Sequence, residues 1–116
     1  MSRRSEVLLW GAQRISAMVL ALCVIVHLLT MIYAVRSGLS AAEILGRTQG
    51  NAAWLAFYAL FVASVSVHAP IGLRTILSET FNWRGRSLDV LTGVIGLRLA
   101  MWGMRAVVAV FSGGGA

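Results

Sequence analysis

The chain has 116 residues, 59% of them hydrophobic, and a mean hydropathy of +0.82. That length fits one domain and not two, and a water-soluble domain this small has too much surface to be so apolar. Ten basic residues, all arginine, stand against four acids for a net charge of +6; most of them end apolar runs, which points to membrane topology and away from nucleic acid.

The N-terminal segment "MSRRSEVLLWGAQR" is basic. The apolar run after it exceeds a signal-peptide core, and no small-residue cleavage site follows, so the sequence predicts that it is retained. A first spanning helix is expected over about 9–35. Its uncharged centre is "ISAMVLALCVIVHLLTMIYAV", Ile15 to Val35. Ser16, Leu20, Cys23 and His27 recur on it at helical spacing, the pattern of ordinary helix packing. Cys23 is the only cysteine. It can form no internal disulfide and no four-cysteine cluster, and it reads as a small buried apolar residue.

Residues 36–51 read as a loop carrying Arg36, Gly38, Glu43, Arg47 and Gly50. The second spanning helix is expected over about 52–77, with the uncharged run "AAWLAFYALFVASVSVHAPIGL", Ala52 to Leu73. Pro70 removes one helical hydrogen bond, frees the carbonyl of Ser66 and predicts a kink beside His68. Gly72 lies four residues after His68 on the same helical face, where a missing side chain would let a flat macrocycle approach. From Arg74 to Ser87 the charges and Gly85 read as a second connector, overlapping the end of that helix.

The third span, Leu88 to Phe111, contains Arg98 and Arg105. Arg98 falls near the bilayer centre, at an insertion cost of ~2.5–3.5 kcal/mol. It shares a helix face with Trp102 and Arg105 and calls for an anionic partner that no acid in this chain reaches. Arg105 can instead snorkel outward. Gly93, Gly96 and Gly103 read as helix-packing positions, and the tail after Phe111 as a frayed end. The expected fold is therefore an all-α, integral-membrane single domain over residues 1–116, with three transmembrane helices in a larger multi-helix bundle. The arginine excess puts the N-terminus in the cytoplasm and the C-terminus outside a bacterial-type inner membrane.

The two histidines, His27 and His68, both lie inside spans. One reading is a hydrogen-bonded packing residue. The other is a ligand, since intramembrane ionisable groups tend to be functional and neutral imidazole binds haem iron. Measured from Arg14, His27 is roughly 20 Å deep; measured from Arg74, His68 is roughly 9 Å deep. A separation of about 10 Å along the membrane normal prevents both from serving one iron. If both are ligands, they serve two stacked haems whose other ligands come from elsewhere.

"QRISA" at residues 13–17, with "HAPIGLR" at 68–74 and Glu79 beyond it, resembles the membrane-anchor cytochrome b subunits of succinate dehydrogenase and fumarate reductase. Those subunits often open their first helix with histidine or glutamine, then arginine, then serine or threonine and glycine. Gln13, Arg14, Ser16 and Ala17 match. Their second helix carries histidine, glycine four later, arginine two after that, then an acid. His68, Gly72, Arg74 and Glu79 match. The resemblance implies that His68 is an axial haem b ligand. His27, ten residues past Ala17, is similar to the extra histidine of the two-haem kind. Those anchors are commonly one five-helix chain, so a second anchor chain or a second copy would supply the missing ligands.

The resemblance also implies that Arg14 and Ser16 lie near a quinone or a haem propionate. Arg74 would meet propionates or the iron–sulfur subunit, or serve topology alone. Trp10 stands where some members have serine; it would cover a quinone ring or sit in the interfacial aromatic belt. Haem propionates or an acid from another chain would answer Arg98. The function expected is a haem-binding anchor, a non-catalytic or quinone-site subunit. It would pass electrons between an iron–sulfur subunit and membrane quinone, with the flavin chemistry on a partner flavoprotein. Two alternatives stand beside it: a cytochrome b anchor of another enzyme such as a hydrogenase, and a small oligomeric transporter. The transporter reading lacks an acid within a span, since Glu6, Glu43, Glu79 and Asp89 all fall at ends or in connectors.

Overall fold

The computed structural model describes residues 2–113; Met1 and residues 114–116, part of the tail expected to fray, lie outside the described residues. Four helices follow one another: α1 (Arg3–Arg36), α2 (Ala41–Thr48), α3 (Ala52–Phe81) and α4 (Arg86–Phe111). Of these, α1, α3 and α4 are long and apolar enough to cross a membrane, as the three apolar runs predict. Helices are what such runs must form in lipid, where each backbone group has to be satisfied within its own segment.

Polar residues set the helix ends. The Ser2 hydroxyl accepts from the amide of Ser5 at the start of α1, and Asn51 Oδ1 accepts from the amides of Ala53 and Trp54 at the start of α3. Both caps satisfy amides that a first turn leaves without partners. Helix α3 stops at Asn82, which adopts the left-handed conformation at φ 54°. Gly85, at φ 104°, then turns the chain into α4.

The connectors differ from expectation in two places. Residues 36–51 contain the helix α2, closed by a reciprocal cap in which the Glu43 amide donates to Ser40 Oγ and the Ser40 amide to Glu43 Oε1. The Ser-x-x-Glu signal is in the sequence; the flanking glycines and charges mask it. Residues 78–81, beyond the helix end expected near 77, extend α3. Within its last turns the Thr75 hydroxyl donates to the Ile71 carbonyl. The first helix likewise begins at Arg3, well before residue 9.

Helix α3 is the centre of the molecule, with α1 and α4 packed on different sides of it. On the α4 side the small residues act as the sequence suggests. A Cβ at Gly103 would lie 2.5 Å from Val62 Cγ1, and one at Gly96 would lie 2.9 Å from Pro70 Cγ and 3.1 Å from the Ser66 carbonyl. Close helix approach without a hydrophobic driving force depends on such residues. Gly93 has open space around it and is not part of this contact. Pro70 faces Gly96 inside a continuous helix, so its ring seats α4. On the α1 side, Ser16 and Cys23 are buried and Leu20 and His27 half-buried, and this stripe forms the face toward α3. Helix α2 closes the far end, where the Gly50 amide donates to the Phe111 carbonyl at 2.8 Å.

Most other apolar side chains point outward, including Leu22, Leu29, Leu97 and Met101. This is the surface of a bundle solvated by lipid and by further protein. Gly103→Ala is expected to lower thermal stability in detergent by about 1–3 kcal/mol, the usual scale of overpacking. Gly93→Ala should be neutral, and Val62→Ala should rescue Gly103→Ala. Melting curves of the four proteins check this.

Candidate functional site

The packing of α1 on α3 brings together residues 52 positions apart. Ser16 Oγ lies 3.5 Å from His68 Nδ1, and Ser16 is only 6% exposed. The same hydroxyl donates to the Gln13 carbonyl at 3.1 Å. A hydroxyl has one proton. With that proton directed to the Gln13 carbonyl, the Ser16 oxygen is an acceptor toward His68. It therefore favours the tautomer protonated at Nδ1 and leaves the lone pair on Nε2. His68 has no other hydrogen bond among the described residues. An oxygen against one ring nitrogen in this way fixes the orientation and tautomer of an imidazole whose other nitrogen keeps its lone pair.

His27 occupies a different environment. Its ring meets Tyr58 and Phe61 edge-on, with centroids 5.8 and 5.7 Å away. Its Nδ1 is buried without a hydrogen-bond partner, a rare condition that calls for an explanation. Two cavities of about 440 and 410 Å³ adjoin the ring. The first also takes in Arg47, which lies over the Tyr33 ring at 5.5 Å.

The two imidazoles are at separate levels. On α1, His27 is eleven residues past Ser16, the neighbour of His68; on α3, Phe61 is seven residues before His68. At helical rise this separates the rings by about 10–16 Å along the bundle. The contacts thus agree with the depth estimate made from sequence.

Near His68, toward the end of the bundle that holds the α1 N-terminus, a cavity of about 730 Å³ is lined by Glu6, Trp10, Gln13, Gly72, Arg74 and Asp89, among others. Gln13 Oε1 is buried without a partner, and a Cβ at Gly72 would lie 3.3 Å from Gln13 Nε2. The space beside Gly72 therefore faces the glutamine amide. Gln13 stands in the sequence motif, yet only the structure gives its amide a chemical role, because burial of one atom is invisible in a sequence.

The other candidates separate. Arg14 is exposed and does not line this cavity; its guanidinium lies over the Trp10 ring at 5.7 Å. Arg74 reaches the cavity, but its Nε donates to Asp89 Oδ1 at 2.8 Å, a partner within the chain. Arg98 is exposed and lines none of the cavities at His27 or beside Gly72. It sits on the side of α4 away from α3, with its guanidinium 5.8 Å from the Trp102 ring. No group of three or more histidine, cysteine or acidic side chains that could hold a metal ion occurs among the described residues. Any metal bound here would arrive within a larger group or take ligands from another chain.

A family model described as the succinate dehydrogenase/fumarate reductase transmembrane subunit matches residues 1–113. Neither the curated proteins nor the solved structures contain a match to the chain. The chain belongs to that transmembrane-subunit family, as the motifs at the start of α1 and toward the end of α3 imply.

The Arg74–Asp89 pair is partly exposed, at 26% and 49% for the two side chains. A double-mutant cycle with Arg74→Gln and Asp89→Asn should return a coupling of about 0.2–1 kcal/mol. Denaturation of the purified protein measures it.

Proposed function

We propose that this member of the succinate dehydrogenase/fumarate reductase transmembrane subunits is a haem b-binding anchor. It links an iron–sulfur partner subunit to membrane quinone. The observation that carries the reading is the Ser16–His68 pair: a buried hydroxyl against one ring nitrogen, with the other free of any protein partner among the described residues.

The donor set suits haem iron. A single imidazole per level is what a porphyrin needs from one chain, because the macrocycle supplies the equatorial nitrogens. Haem b held there supplies reversible one-electron chemistry. His68 would hold one such group through Nε2, and Ser16 would orient the ring through Nδ1. His27 would hold a second at its own level through Nε2, and its buried Nδ1, protonated in that tautomer, is free to donate a hydrogen bond to an incoming group. The opposing ligands would come from a second anchor chain, since His27 and His68 are the only histidines here.

Quinone would occupy the cavity containing Trp10 and Gln13. The glutamine amide serves both forms of that substrate. Its Nε2 can donate to a quinone carbonyl, and its unpartnered Oε1 can accept from a quinol hydroxyl. Trp10 offers a ring face. Arg14, held against that ring, contributes positive potential at the rim, where the developing charge of a reduced quinone is stabilised. Arg74 and Asp89 border the same cavity as a fixed ion pair. Partner flavoprotein and iron–sulfur subunits would interconvert succinate and fumarate on the cytoplasmic side, with the N-terminus of α1 on that side.

Reduced-minus-oxidised visible spectra of the intact complex test the assignment. His68→Ala and His27→Ala should each abolish a different b-type component. A variant that keeps the full haem complement would refute that ligand. Ser16→Ala should weaken haem retention about 10–100-fold, the usual effect of losing an outer-shell partner, and Ser16→Thr should restore it. Equal retention in Ser16→Ala and wild type would remove the hydroxyl from the site.

A further inference from the structure

Helix α4 has two faces of opposite kind. Leu88, Thr92 and Val107 are buried, and Gly96 and Gly103 abut α3. On the other side Leu91, Val94, Arg98, Met101, Trp102 and Arg105 are all exposed, a stripe at helical spacing that runs the length of the span.

Arg98 is the unusual member. It lies twelve residues after Arg86 and thirteen before Phe111, so each end of α4 is about 18–20 Å away. That is beyond the reach of a snorkelling side chain. Arg105, nearer the end, can reach the interface. Among the described residues Arg98 has only the Trp102 ring, at 5.8 Å. The ring quadrupole attracts a cation but leaves the charge uncompensated in hydrocarbon, where such residues pair or line a polar path.

The possible anions can be sorted by position. Glu6 lies in the first turn of α1, Glu43 in α2, Glu79 near the end of α3, and Asp89 in the first turn of α4 beside Arg74. A second copy of this chain, in either orientation, therefore brings no carboxylate to the level of Arg98. Lipid phosphates stay at the bilayer surfaces. His68 lies against α1, whereas Arg98 is on the face of α4 opposite the glycines that abut α3 and lines none of the cavities at His27 or beside Gly72.

We propose that the outer face of α4 docks a transmembrane helix of a different polypeptide, and that this helix carries an aspartate or glutamate near the bilayer midplane, paired with Arg98. Val94 and Met101, one turn to either side, pack on the same helix. The contact selects against self-association, because two copies would bring Arg98 against Arg98. The inference names the chemistry of the second anchor chain and stands whether or not haem is bound.

The test uses the intact complex in its membrane, with a photo-crosslinking residue placed singly at Val94 and at Met101 and the adducts sequenced. The expected adduct is a spanning segment of another polypeptide with an acid within one turn of the crosslinked position. Arg98→Leu, which eases insertion, should leave this chain in the membrane and cut recovery of that polypeptide about tenfold; Arg98→Lys should keep recovery within about twofold. Arg98→Asp combined with arginine at the partner's acid should restore assembly. Adducts only with lipid, with another copy of this chain or with a helix lacking an acid would overturn the proposal. So would a complex that survives Arg98→Leu undiminished. The readout is subunit composition, so failure here leaves the spectral test of His27 and His68 untouched.

Discussion

The register of α1 against α3 governs the chemistry of this molecule. It is set by a seam of small and apolar side chains on α1, with Ser16 and Cys23 buried in it. That seam places one hydroxyl beside one imidazole and, about three turns along, another imidazole between two aromatic rings. A slip of one residue on α1 would rotate each of these groups by about 100° and shift it by about 1.5 Å. The polar groups are therefore only as well placed as the seam that carries them. In lipid that seam gains nothing from excluding water and relies on close packing and buried hydrogen bonds.

A second contact, between α3 and α4, is built differently. Two glycines on α4 receive Val62 and Pro70, so the backbones come close, and the Arg74–Asp89 ion pair joins the two helices toward one end. Proline in the middle of a spanning helix would be a defect on a lipid-facing surface. Here its ring lies in a glycine notch, and the Ser66 carbonyl that proline leaves without its usual donor also faces Gly96. Helix α3 thus meets α1 through a serine–histidine contact and α4 through close steric packing. The outer faces of α1 and α4 remain for lipid and for other subunits, as suits a chain that is one part of a larger membrane assembly.

Much of this was legible in the sequence because lipid imposes a strong and simple rule. Three long uncharged runs have no alternative to helices, and glycine spacing on the third foretells how it packs. The separation of His27 and His68 followed from residue counts alone, since both lie on regular helices whose rise is fixed. What the sequence hid depends on side-chain direction or on local competition. The helix α2 is short, and its cap signal lies among glycines. The partner of Arg74 is fifteen residues away across a turn, and the amide of Gln13 is buried by residues of α3. Arg98, Trp102 and Arg105 were correctly grouped on one face, but the sequence could not say that this face turns away from the histidines.

Two imidazoles held at separate levels cannot grip the same metal, and this is the claim on which the electron-carrying account rests. The most direct measurement is the position of iron in a structure of the intact assembly, located by its anomalous scattering. The account predicts one iron bound through Nε2 of His68, with Ser16 still on the opposite ring nitrogen, and a second iron at His27 on a distinct macrocycle. A single iron approached by both rings, or no iron beside either, would contradict it.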